Sequence, residues 1–207
     1  GWWDIHVPPS DFKLAGLVGQ KTREGGLRVF SYGSYLSLGE QMDMQPILET
    51  ARSMGTNRVR IWAGKTASLA ITGERRQEMI QEAKTIADSA DLLGLELCFE
   101  YHRGTLTDTA DSAKNLVRQI DKKNVFLYWQ PNPEINTDDK LKEIAELKAY
   151  VKTIHCFHWT GINTRHPLKE GLKDWRSYLA AFGGHKVPLL LEFCLEDSFE
   201  NAKKDIE

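Results

Sequence analysis

The chain has 207 residues, 41% hydrophobic and 27% charged, an ordinary globular balance with length enough for one domain with a real core or two small ones. Its formal net charge of −2 gives no electrostatic reason to expect nucleic acid as the main partner, and no apolar stretch approaches the ~18 residues of a membrane span. Cys98, Cys156 and Cys194 lie in apolar strand-like runs without CxxC spacing, so they read as buried, reduced thiols of a cytoplasmic protein.

In chain order, Trp2–Val7 (WWDIHV) is a candidate strand, and residues 1–9 have neither the basic start nor the apolar run of a signal peptide. Leu27–Gly33 (LRVFSYG) is β-rich and precedes a helical pattern over Met44–Met54, stopped by Gly55. Arg58–Gly64 precedes the long helical run Glu74–Leu93, again closed by a glycine, Gly94. Leu95–His102 leads to a helix over Thr109–Ile120 that Asp108 or Thr109 can cap. Asn124–Gln130 leads to Asp138–Val151, Thr153–Trp159 to Leu172–Phe182, and Val187–Cys194 to Ser198–Ile206. Regular βα alternation predicts parallel strands with crossover helices, and no linker or repeat divides residues 1–207 into more than one domain. An eight-stranded barrel and an open doubly wound sheet both fit this count.

Strand parity separates the two. Val59, Ile61 and Ala63 share one face and Arg58, Arg60 and Trp62 the other; Leu95, Leu97, Phe99 and Tyr101 oppose Glu96, Cys98, Glu100 and His102. One face is steadily apolar, suiting a helix layer, while the other gathers charge towards the strand end. An open sheet covered by helices on both sides would be apolar on both faces, so a barrel with a polar mouth fits better.

Three residues near strand ends carry the chemistry. Glu100 and Glu192 each follow apolar residues, and a carboxylate entering a barrel mouth is costly unless a cation or metal accompanies it. His155 adds a neutral nitrogen ligand. Two carboxylates and an imidazole suit Mn, Mg, Zn or Co, with positions left for substrate oxygens. A hydrogen-bonded barrel residue is the plain alternative for any one of them; the three together favour a site. His6 and His102 are lesser substrate candidates. Trp62 and Trp159 have the inward parity that would let them stack on a sugar, whereas Trp129 and His158 should face the helices. Arg60 can meet a substrate oxygen or neutralise Glu100, with neutralisation favoured. Arg165 lies in a loop with His166 and Lys169 that suits an anionic group.

At these residues the sequence resembles the sugar phosphate isomerase/epimerase family, the xylose-isomerase-like barrels. The segments DIHVPP, LRVFSYGSYLSLG, RVRIWAG, FEYHRGTLTDT, YWQPNP, HCFHW, PLKEGLKDW and LLLEF carry the likeness through their order and spacing. The resemblance implies a parallel (β/α)8 TIM-type barrel, with Glu100, His155 and Glu192 as metal ligands and the two glutamates as a proton-transfer pair. It also implies a further acidic ligand where Gln130 stands, and an amide oxygen is a poorer ligand than a carboxylate. A strand and helix that precede DIHV in the family have no counterpart, so the resemblance implies an N-terminally incomplete barrel. Its open strand edge leaves a homo-oligomer in play.

The expected activity is isomerisation or epimerisation of a sugar or sugar phosphate, with the glutamates exchanging protons beside a divalent metal. The alternative is a non-catalytic carbohydrate-binding or interaction protein with a degenerate metal site, motivated by Gln130. A DNA-repair endonuclease of the related barrel type is disfavoured, because its clustered metals need more ligands than six scattered histidines supply. The expected partner is a small sugar, not nucleic acid or a membrane.

Overall fold

The computed structural model describes residues 6–207, so most of the candidate strand Trp2–Val7 falls outside the described residues. The elements follow as α1 (Phe12–Glu24), β1 (Tyr32–Ser37), α2 (Met44–Met54), β2 (Arg58–Trp62), α3 (Gly73–Leu92) and β3 (Glu96–Glu100). Then come α4 (Ala110–Ile120), β4 (Val125–Trp129), α5 (Thr137–Leu147), β5 (Val151–Cys156), the short strands β6 (His158–Thr160) and β7 (Thr164–His166), α6 (Leu172–Ala181), β8 (Leu189–Leu191) and α7 (Phe199–Ile206). No helix among the described residues is long and apolar enough to cross a membrane.

Six strands form one parallel sheet in the order β1-β2-β3-β4-β5-β8, curled into half a barrel with the helices outside. The curl is visible in side-chain reach. On β2, Arg58 donates from Nη1 to the Thr153 hydroxyl on β5 at 3.1 Å, although two strands lie between them in the sheet. A flat sheet would hold β2 and β5 about 14 Å apart. The outer face follows the expected parity: Val59, Ile61, Leu97, Phe99, Leu127 and Trp129 are fully buried. Trp129 packs edge-on against Trp175, Tyr178 and Phe182 of α6 or its end, on the helix side.

Local chemistry explains the ends that match. Asp43 accepts from the Gln45 amide to cap α2, and Gly55 ends that helix at φ +83°, a conformation that favours glycine. Thr109, rather than Asp108, caps α4 by accepting from the Ser112 amide. Other boundaries move. The expected strand Leu27–Gly33 lies instead at Tyr32–Ser37, where pairing with Val59, Arg60 and Trp62 sets the register. The expected helix Asp138–Val151 stops at Leu147, because Val151 already pairs with Leu127. Thr153–Trp159 is two strands: the Phe157 carbonyl leaves the ladder to accept from the Trp175 indole at 3.0 Å, and β6 then pairs antiparallel with β7. Val187–Cys194 contributes only Leu189–Leu191 to the sheet, extended at one end by a bond from the Ile154 amide to the Pro188 carbonyl and at the other by one from the Glu192 amide to the Cys156 carbonyl.

Helix α1 was not expected, although Asp11 caps it by accepting from the Leu14 amide. It contains Gly16 and Gly19, which lower helix propensity. At Gly19 the reason is close packing: a Cβ there would sit 2.1 Å from the Met54 carbonyl oxygen of α2. The glycine is a docking surface rather than a break.

Candidate active site

The strand ends converge on the concave side. Glu100 closes β3, His155 stands in β5, and Glu192 follows β8. One ligand atom from each lies within 4.8 Å of the others. In the sheet β4 and β5 stand between β3 and β8, so a flat arrangement would separate the two glutamates' strands by about 14 Å. Curvature therefore makes the cluster.

Its electrostatics are unbalanced. Arg60 donates from Nη1 to Glu100 Oε2 at 2.6 Å, giving one guanidinium for two carboxylates. The Glu192 Oε2 atom is buried without a hydrogen-bond partner among the described residues, 3.4 Å from His155 Nδ1. Burial, then the Glu100 charge, pushes the Glu192 carboxyl well above the usual carboxylate range, while Arg60 and Arg165 oppose that shift. Burial lowers His155 to about 4, aided by Arg60 and His102 and opposed by Glu100, so its imidazole is neutral at pH 7 and keeps a lone pair. His155 Nδ1 lies 2.9 Å from Gln130 Oε1, an acceptor, so Nδ1 carries the proton in this arrangement.

A cavity of about 420 Å³ opens above these groups. Glu100, Glu192 and Gln130 line it, as do Arg60, Trp62, His102 and Trp159. Two expected substrate contacts are not on its wall. His6 is exposed and away from the lining. Arg165 is drawn into an ion pair with Asp197 and lies over the Phe193 ring, so its charge is already engaged. His158 turns to the helix side, as parity indicates, and packs against Gly171. A larger cavity, about 640 Å³, lies at the opposite ends of the strands among residues such as Arg28, Thr56 and Lys186, away from the carboxylates.

Several residues around the mouth carried no sequence signal. Thr107 donates to the Glu100 carbonyl at 2.5 Å, fixing the strand end. Tyr101 points outward and donates to Glu143 Oε1 of α5 at 2.6 Å, anchoring the next residue from behind. Tyr35 and Arg103 complete part of the wall. Only the fold brings Tyr35 beside Glu100, whereas Tyr101, Arg103 and Thr107 are its near neighbours in the chain and only their contacts needed the structure.

The residues fit a divalent cation. Two carboxylates and a neutral imidazole converge, and one carboxylate oxygen has no hydrogen-bond partner among the described residues; His155 ligates through Nδ1 only if that nitrogen gives up the proton it shares with Gln130.

Comparison with known proteins agrees with this architecture. A sequence model described as the xylose isomerase-like TIM barrel matches residues 5–207. The chain belongs to the xylose isomerase-like TIM barrel family. A 3-dehydroshikimate dehydratase of Bacillus anthracis is 23% identical over 145 residues, covering 62% of this chain; the chain spans 49% of that relative's length. The crystal structure of a probable dehydratase of that type from the same organism, described as involved in petrobactin synthesis, superposes with a TM-score of 0.74 at 16% identity, over 88% of this chain and 76% of the other. A 3-keto-D-glucoside 4-epimerase from E. coli superposes with a TM-score of 0.69 at 14% identity, over 95% of this chain and 85% of that one. Other sugar epimerases share the fold of this family member.

Proposed function

We propose that this family member isomerises or epimerises a sugar or sugar phosphate, using Glu100 and Glu192 as the proton-transfer pair. The observation that supports the reading most is the convergence of Glu100, His155 and Glu192 within 4.8 Å, with both glutamates on the wall of a mouth that Trp62, His102 and Trp159 also line. Glu100, His155 and Glu192 would hold a divalent cation, with Gln130 as a poorer fourth donor. When bound, that cation supplies positive charge opposite the substrate's carbonyl oxygen.

The chain's own groups do the rest. Glu100 removes the proton next to the carbonyl, and Glu192 returns one to the neighbouring position or the opposite face. Unequal surroundings give the two glutamates different tasks: Glu100 faces Arg60, whereas Glu192 Oε2 has no partner among the described residues. Trp62 and Trp159 present aromatic faces to a sugar's C–H groups, and His102, 4.7 Å from Trp62 between ring centroids, offers a ring nitrogen to a hydroxyl.

The test is metal analysis of the purified protein, followed by assays with Mn, Mg, Zn or Co over a panel of aldoses, ketoses and their phosphates. Full turnover by a Glu100→Gln, Glu192→Gln double variant would sink the proposal. A second reading, a non-catalytic carbohydrate-binding protein, is favoured by Gln130 standing where a further acidic ligand would strengthen the metal site. Sugar binding without metal or turnover selects it. The panel includes 3-dehydroshikimate, read by loss of one water in mass spectrometry, because the dehydratase relative names that substrate.

A further inference from the structure

The cavity at the strand starts, about 640 Å³, is roomier than the mouth, and the proposed chemistry leaves it without a task. Arg28, Arg58, Lys148, Lys152, His185 and Lys186 line it, and no Asp or Glu does among the described residues. The chain as a whole has a formal net charge of −2, so this gathering of one sign is local rather than compositional. Cations drawn together by a fold repel one another, and a concave wall focuses their combined field on whatever enters.

Some of these charges are already answered. Arg58 and Lys152 both face Glu96, which lies behind the wall. Lys148 donates to the Ala181 carbonyl at 3.5 Å, where α6 ends, and a cation there opposes the helix dipole. Arg28 and Lys186 have no such role: both are exposed, neither belongs to a helix, and the wall holds no carboxylate to meet them. The Arg28 guanidinium lies 5.4 Å over the Phe30 ring, a contact that steadies it without using its N–H donors. Arg28 precedes β1 and Lys186 precedes β8, the two edge strands of the sheet, so one cavity joins cations from opposite edges of the half-barrel.

These features select an occupant. A planar guanidinium fork and flexible ammonium groups are the donors that suit phosphate oxygens. The space is far more than a single phosphate ion fills. Linked phosphates carry charge and acceptor oxygens along their whole length, and so can reach both edges at once. We propose that the base cavity binds a small molecule with two or more linked phosphate groups, held between Arg28 and Lys186 with Lys148 as a further donor. The site is independent of the sugar reading of the mouth.

Titration calorimetry in metal-free buffer of low ionic strength tests it, with orthophosphate, pyrophosphate, tripolyphosphate and citrate as probes. Without divalent metal, the glutamates of the mouth cannot capture a probe through a bridging ion. Tripolyphosphate should bind at least tenfold more tightly than orthophosphate or citrate, with pyrophosphate between. Arg28→Ala with Lys186→Ala should weaken tripolyphosphate tenfold or more. Lys203→Ala with Lys204→Ala removes the same charge from exposed positions of α7 that are not on the wall, and should change binding less than twofold. Thermal melts confirm that both double variants are folded. Absence of tripolyphosphate binding, citrate binding equally tightly, or equal losses in the two double variants would overturn the site. A short single-stranded oligonucleotide that binds more tightly than tripolyphosphate, and loses that binding in the Arg28→Ala, Lys186→Ala variant, would overturn the small-molecule assignment. None of these outcomes involves Glu100 or Glu192, so the sugar reading stands or falls by its own assays.

Discussion

The inner face of the half-barrel carries the same ion pair twice, and the two copies live differently. At the strand starts, Arg58 meets Glu96 Oε2 through Nε at 3.0 Å and Nη2 at 2.5 Å, while its Nη1 bonds Thr153 and the Lys152 carbonyl. Lys152 lies 3.7 Å from the other Glu96 oxygen, and the Phe30 ring lies beneath the guanidinium. That network is closed. Two residues further along β2, and four along β3, Arg60 makes a single bond to Glu100, and Glu192 adds a second carboxylate whose Oε2 has no hydrogen-bond partner among the described residues. A closed pair binds strands together; an open one retains charge to spend on a ligand. The proposed chemistry is therefore assigned to the mouth, although the roomier cavity lies at the base.

Variants can break or sharpen this contrast. The largest expected effect is at the mouth: Glu100→Gln with Glu192→Gln should lower turnover by roughly 10²–10⁴-fold while the melting temperature holds or rises, read by sugar assay and calorimetry. Arg58→Met at the base should do the reverse. It strands the Glu96 charge in a largely buried place and should cost about 3 kcal/mol in urea unfolding, with turnover per folded molecule unchanged. A drop in specific activity there would show that the base is not merely structural. Adding Glu96→Leu to Arg58→Met should recover most of the lost stability, because an apolar pair can replace a buried ion pair at little net cost.

The smallest effect concerns the support behind the mouth. Burial raises Glu143 to about 7, with the Tyr101 hydroxyl and Lys140 opposing the shift. A carboxyl whose folded affinity for a proton is raised contributes stability that is complete below about 4.5 and lost as pH climbs through 7. Glu143→Gln keeps an oxygen for Tyr101 and should flatten the stability curve between pH 5 and 8; an unchanged curve places the titration elsewhere.

Legibility differed between the fold and the site for physical reasons. Helix α2 was readable because its stop, Gly55, is a local device; the structure adds Asp43 as an equally local cap. Helix α1 was not, since Gly19 serves a contact with Met54 that lies 35 positions away. Strand β1 shifted because its register is set by β2, not by its own apolar run. Arg165 was expected at the substrate but is held by Asp197, a partner that no pattern near residue 165 announces.

The sequence by itself determined the alternation of strands and helices, the inward and outward faces, and the placing of Glu100, His155 and Glu192 at or near strand ends, because period-2 parity and local caps act over a few residues. Only the tertiary structure decided that these ends meet, and that Arg60 bonds Glu100 while Glu192 Oε2 has no hydrogen-bond partner among the described residues. Those facts depend on the curvature accumulated across six strands, a property of the sheet that no single segment contains.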